Sequence, residues 1–97
     1  MVRVSVDDAK KIGRELGIDF RKLSPTLFQK AMKIELEHGK KFSRTNITNN
    51  DLLITGKIAL AHLLEYSNYY ESLIEMEKEL DKYWRGKKKK SVLKKKK

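Results

Sequence analysis

Apolar positions are densest over residues 52–64, LLITGKIALAHLL, where only Thr55, Lys57 and His62 carry polar side chains. On a helical wheel Leu52, Leu53, Gly56, Ala59, Leu60, Leu63 and Leu64 form one broad face, and Ile54, Ile58 and Ala61 lie on the other side. A helix that is apolar nearly all round belongs in an interior. It falls short of the about 20 apolar residues that cross a bilayer. The segment is therefore expected to be the central helix of a small bundle.

The flanking segments carry start and stop signals. Ser5 with Asp8 forms a capping box, and Asp7 and Asp8 place carboxylates in the first turn. A helix over Val6–Leu16 follows, with Ala9, Ile12, Gly13 and Leu16 as its apolar stripe and Gly17 as a left-handed closing residue. Ile18 then turns back onto the core. Ser24 and Pro25 are an N-cap and a first-turn proline. They open a second helix, 25–38, whose apolar residues are Leu27, Phe28, Ala31, Met32 and Ile34 and whose stop is Gly39. Residues 40–47 read as a polar loop anchored by Phe42 and Ile47.

Thr48 with Asp51 reads as a second capping box, opening the central helix, which ends near Glu65 or Tyr66. Ser67 caps a fourth helix, 68–85, in which Tyr69, Leu73, Met76, Leu80 and Tyr83 make a two-heptad seam. The seam suits an internal packing face or a dimer interface equally. Only residues 2–4 hint at a strand. The fold class is all-α: a small single-domain bundle of about four helices around a buried central helix, over residues 1–86, followed by a disordered basic tail, 87–97.

Three blocks, ELGIDF (15–20), IELEHGK (34–40) and TNITNNDLLITGKIALAHLLEYSNYYESLIEMEKE (45–79), resemble a family of short, uncharacterised helical proteins of bacteria, phages and large DNA viruses. The likeness covers roughly residues 5–85 and leaves the tail outside. It implies a compact helical domain and a bacterial or viral source, and it brings no activity, cofactor or catalytic residue.

Composition changes the picture mainly through charge. The chain of 97 residues has a formal net charge of +10. Residues 1–86 hold 15 Lys/Arg against 13 Asp/Glu, a net of +2, and residues 87–97, KKKKSVLKKKK, hold eight lysines and no acid. No cysteine is present, which excludes disulfides and thiolate metal sites. The N-terminus lacks the apolar run of a secretory signal, so an intracellular location is the expectation.

Glu35 and His38 share one face of the second helix at the i, i+3 spacing that metal sites in helical bundles use, and His62 with Glu65 repeats it in mirror order. If the second and central helices are antiparallel neighbours, the two pairs lie about ten residues, or roughly 15 Å, apart along the axis, too far for one metal, and a shared site would require steeply crossed helices. A mononuclear site of Glu35, His38 and Asp51 is the remaining metal candidate. The preferred account has Glu35 and His38 satisfying backbone groups of the loop and the Thr48–Asp51 cap. His62 alone is expected to be a hydrogen-bonded core residue.

Lys57, on an apolar helix, would become a base or amine nucleophile if desolvated. A lysine that snorkels or pairs with Glu35 is the simpler expectation. Thr55-Gly56-Lys57 lacks the upstream glycine spacing of a phosphate loop. Tyr66, Tyr69, Tyr70, Tyr83 and Trp84 could stack bases, but core packing is the better account of their helical spacing.

The tail is the strongest functional signal. Lys87, Lys88, Lys89, Lys90, Lys94, Lys95, Lys96 and Lys97 repel one another and bury almost nothing, and such a polycation binds polyanions by releasing counterions. Ammonium groups contact phosphates as point charges and read no base sequence. A localisation signal, a membrane-surface contact and a solubilising end are the rivals. The expected function is a non-catalytic helical module with non-specific nucleic-acid affinity and no cofactor. A protein partner or second copy would dock on the fourth helix. The alternatives are a small metal-binding or acid–base enzyme around Glu35, His38, Asp51, Lys57 and His62, or a structural component of a virion or assembly.

Overall fold

The computed structural model describes residues 3–88. The chain divides into two compact units, Met1–Ser67 and Asn68–Lys97. The first holds α1 (Val6–Leu16), α2 (Pro25–Lys41), a 3-10 turn (Ser43–Thr45) and α3 (Leu52–Glu65), and the second holds α4 (Tyr69–Trp84). The class is all-α, with no strand among the described residues.

α1 begins and ends where its sequence signals lie. Ser5 Oγ accepts from the Asp8 N–H at 3.0 Å, and the Asp8 carboxylate accepts from the Ser5 N–H at 3.1 Å, closing a reciprocal capping box. Gly17 closes the helix at φ +79°, a conformation that costs a residue with a Cβ.

α2 starts at Pro25 behind the Ser24 cap, as expected, but runs through Gly39 to Lys41. Gly39 is not a stop. It is buried, and a Cβ at this position would lie 2.5 Å from Thr48 Oγ1, so the missing side chain admits the loop beyond the helix. The inward face of α2 is Phe28, Ala31, Met32, Leu36 and Gly39. Leu27, expected in the core, is 45% exposed, and Leu36 takes an inward position instead.

Three helices pack pairwise in the first unit, α3 touching both α1 and α2. Its approach to α1 is close at Gly56, where a Cβ would sit 2.5 Å from Ile12 Cγ2 and 3.4 Å from Leu16 Cδ1. The burial of α3 is one-sided, through Thr55, Gly56 and Ala59, and differs from the all-round burial its composition suggests. Leu64 is 78% exposed, because two neighbouring helices cover only the side they touch.

The start of α3 also differs from expectation. Asp51 itself is the N-cap: its Oδ1 accepts from the N–H groups of Leu53 (2.9 Å) and Ile54 (3.1 Å). Thr48 is buried and lies before the cap, its hydroxyl against Asn46 Oδ1 at 3.3 Å. Between them Asn49 and Asn50 adopt φ of 45° and 64°, which asparagine tolerates, and the Asp51 N–H returns to the Thr48 carbonyl at 2.7 Å. This tight turn delivers Asp51 to the N-cap position of α3.

In the second unit, α4 spans a shorter range than 68–85, and neither Ser67 nor the Asn68 side chain caps it. Gly86 lies beyond its end at φ +74°. Tyr70 is buried, whereas Ile74, Met76, Leu80 and Tyr83 are exposed.

Candidate functional site

Helical spacing sets which polar side chains of the first unit can meet. Glu35 lies one residue before inward-facing Leu36, and His62 lies three residues after buried Ala59. The fold brings them together. Glu35 Oε2 lies 3.6 Å from His62 Nε2, with the glutamate side chain 11% exposed and the histidine 35%.

This corrects the expectation that axial distance keeps the two rows apart. Phe28 Cζ approaches the Gly56 position, and Glu35 approaches His62, so contacts advance in the same direction along both helices. The antiparallel arrangement on which that separation is conditional does not hold at this crossing. Glu35 is paired with His62, not with Lys57. Lys57 is exposed, so it is not buried among Leu53, Leu60 and Leu64.

The other candidates do not join this pair into a metal centre. Asp51 is committed to the α3 cap. His38 is exposed in the last turn of α2, where the helix dipole favours a basic group. Among the described residues no group of three His, Cys, Asp or Glu side chains could hold a metal ion, so Glu35, His38 and Asp51 do not form the site weighed for them.

Among the described residues, two carboxylates have perturbed acidity. The Ser5 backbone N–H, and then its hydroxyl, hold Asp8 below the ordinary carboxylate value. The Arg21 side chain, and then its backbone N–H, do the same for Asp19. Both belong to local turns: Asp8 caps α1, and Asp19 Oδ1 accepts from Arg21 at 2.9 Å and 3.1 Å.

At the end of α4, Tyr83 is 59% exposed and meets Trp84 edge-on, with centroids 5.1 Å apart. Lys87 Nζ sits 3.7 Å over the Tyr83 ring. Core packing therefore accounts for Tyr70 but not for Tyr66 or Tyr83, both mostly exposed. Lys87 and Lys88 are exposed; Lys89, Lys90, Lys94, Lys95, Lys96 and Lys97 lie outside the described residues.

One basic cluster escaped the sequence reading. Arg3, Lys33 and Lys40 border a single concavity beside α2. The lysines are two helical turns apart and could have been paired on a wheel, but nothing in the sequence places Arg3 beside them.

No helix among the described residues is long and apolar enough to cross a membrane. Over residues 9–79 the chain matches the family described as Protein of unknown function (DUF5661), and it belongs to that family. No curated protein and no solved structure matches it.

Proposed function

We propose that this member of the family is a non-catalytic helical module whose segment 87–97 holds nucleic acid by its phosphates, without regard to sequence. The observation that carries the reading is the segregation of charge: +2 over residues 1–86 and +8 over residues 87–97. Tyr69–Trp84 opposes it, with Glu71, Glu75, Glu77, Glu79 and Asp81 against Lys78 and Lys82. A polyanion is repelled by α4 and attracted by the lysines C-terminal to it.

Each lysine that meets a phosphate displaces a condensed counterion, so the gain is entropic and falls as salt rises. The ammonium groups meet phosphates as point charges, and phosphate contacts carry no sequence information, so affinity comes without base discrimination. The exposed seam of α4 at Met76, Leu80 and Tyr83 is then the face offered to a protein partner or a second copy. Such a role belongs inside a cell, at the nucleoid or nucleus, or in a virion.

The test compares the full chain with a full-length variant carrying glutamine at all eight lysines of 87–97, by fluorescence anisotropy on duplex DNA and RNA. Loss of nearly all affinity is expected in the variant. Retained affinity would assign binding to the helical units and leave the lysines as an address or a solubilising end.

A further inference from the structure

We propose that the concavity between the N-terminal segment and α2 is a binding site for a phosphate ester that carries hydroxyl groups beside its phosphate. This goes beyond the lysine segment and uses none of its residues. The concavity has a volume of about 370 Å³, at the small end of the range for ligand pockets, about 300–1,000 Å³. That suits one nucleotide or sugar phosphate and not a large cofactor.

Its wall is one face of α2. Gln29, Lys33, Leu36, Glu37 and Lys40 succeed one another at steps that return to the same side of a helix. The opposite wall is the chain before α1. Gln29 Nε2 donates to the Val4 carbonyl at 2.9 Å and ties that segment to α2. Val4 is buried and, with Leu36, lines the site with apolar surface, while Arg3 is exposed at its rim. The hydrogen bond across the walls fixes the spacing of the charged groups.

Three cations, Arg3, Lys33 and Lys40, face one carboxylate, Glu37. Among the described residues the ion pairs within 4.0 Å leave all four of these groups out. The lining groups therefore carry a net charge of +2 with no ion pair among the described residues to offset it, beside the apolar surface of Val4 and Leu36. Arg3 offers a planar donor fork to phosphate oxygens, and the lysines add point charges. Glu37 sets the limit on the ligand: it repels a second or third phosphate and accepts from hydroxyl donors. One phosphate with neighbouring hydroxyls meets both demands, whether in a free nucleotide or in a unit of an RNA strand.

The test is a site-resolved titration of the full-length chain, following backbone amide shifts with adenosine monophosphate, with a short oligouridine and with adenosine as the uncharged control. Adenosine monophosphate is expected to move the amides of Val4, Gln29, Leu36 and Glu37 and leave those of 87–97 in place at moderate salt. If only the oligouridine moves them, the phosphate comes from a strand, and the site still stands. Lys33→Gln with Lys40→Gln, both at exposed positions that leave folding intact, is expected to weaken binding about tenfold. Glu37→Gln is expected to raise the affinity for adenosine diphosphate more than for adenosine monophosphate, because the charge that repels a second phosphate is gone while an amide oxygen still accepts from hydroxyls, and an equal effect on both would overturn the role of Glu37. Shifts confined to 87–97, equal shifts with adenosine, or affinity unchanged by the lysine pair would overturn the proposal. The position of the shifting amides separates this outcome from failure of the lysine-segment reading.

Discussion

Glu35 on α2 and His62 on α3 meet at 3.6 Å between Oε2 and Nε2. The distance exceeds a good hydrogen bond, and the histidine is 35% exposed, so the pair is a modest contributor. A double-mutant cycle with Glu35→Gln and His62→Gln is expected to give a favourable coupling of about 0.5–1 kcal/mol. Zero coupling is what helices with opposed ends would give, so the cycle also tests how α2 and α3 cross.

Gly56 is expected to resist the usual benefit of alanine in a helix. Propensity alone favours Gly→Ala by about 1 kcal/mol. The new methyl would lie 2.5 Å from Ile12 Cγ2 on a β-branched side chain with little freedom to yield. Overpacking of this kind costs about 1–3 kcal/mol, so Gly56→Ala should lower the urea midpoint. A raised midpoint would mean that α1 and α3 do not approach as described.

Asp51 is the residue whose loss should loosen the start of α3. Its Oδ1 holds the N–H groups of Leu53 and Ile54, and removing an N-cap of this kind costs about 1 kcal/mol. Asp51→Ala should speed amide exchange at these two positions. Unchanged exchange would return the cap to Thr48.

Acid should destabilise the protein in part through Asp8 and Asp19. Both carboxyls are held below the ordinary carboxylate value in the folded chain, Asp8 first by the Ser5 N–H and Asp19 first by the Arg21 side chain. The folded state thus binds fewer protons than the unfolded one. Their contribution is fully present above the ordinary carboxylate value and is lost as pH falls through the lower folded-state value. Asp8→Asn should lower the melting temperature near neutrality and flatten its decline on acidification. A decline of unchanged steepness would exclude Asp8 from this linkage.

The parts of the fold legible in the sequence are those set by neighbours along the chain. Ser5, Asp8 and Gly17 mark α1 because capping is local chemistry, and Pro25 marks α2 for the same reason. Gly39 misleads because its role is tertiary: it makes room for Thr48, and glycine looks the same in a stop and in a close approach. Thr48 and Asp51 satisfy a capping pattern together, yet the turn through Asn49 and Asn50 leaves only Asp51 in place to cap. A helical wheel gives faces without crossing directions, which is why the meeting of Glu35 with His62 was not readable. The Arg3–Lys33–Lys40 cluster was hidden for a related reason, since it depends on Gln29 fastening the N-terminal segment to α2.

The most direct test of the nucleic-acid reading is the salt dependence of duplex DNA binding by the full chain. With the eight lysines of 87–97 engaged, the slope of log affinity against log salt approaches about −7, from about −0.9 per phosphate contact. The full-length glutamine variant should show a slope near zero at any affinity it retains. A shallow slope for the full chain, or the same slope for both proteins, would contradict the assignment of binding to this segment.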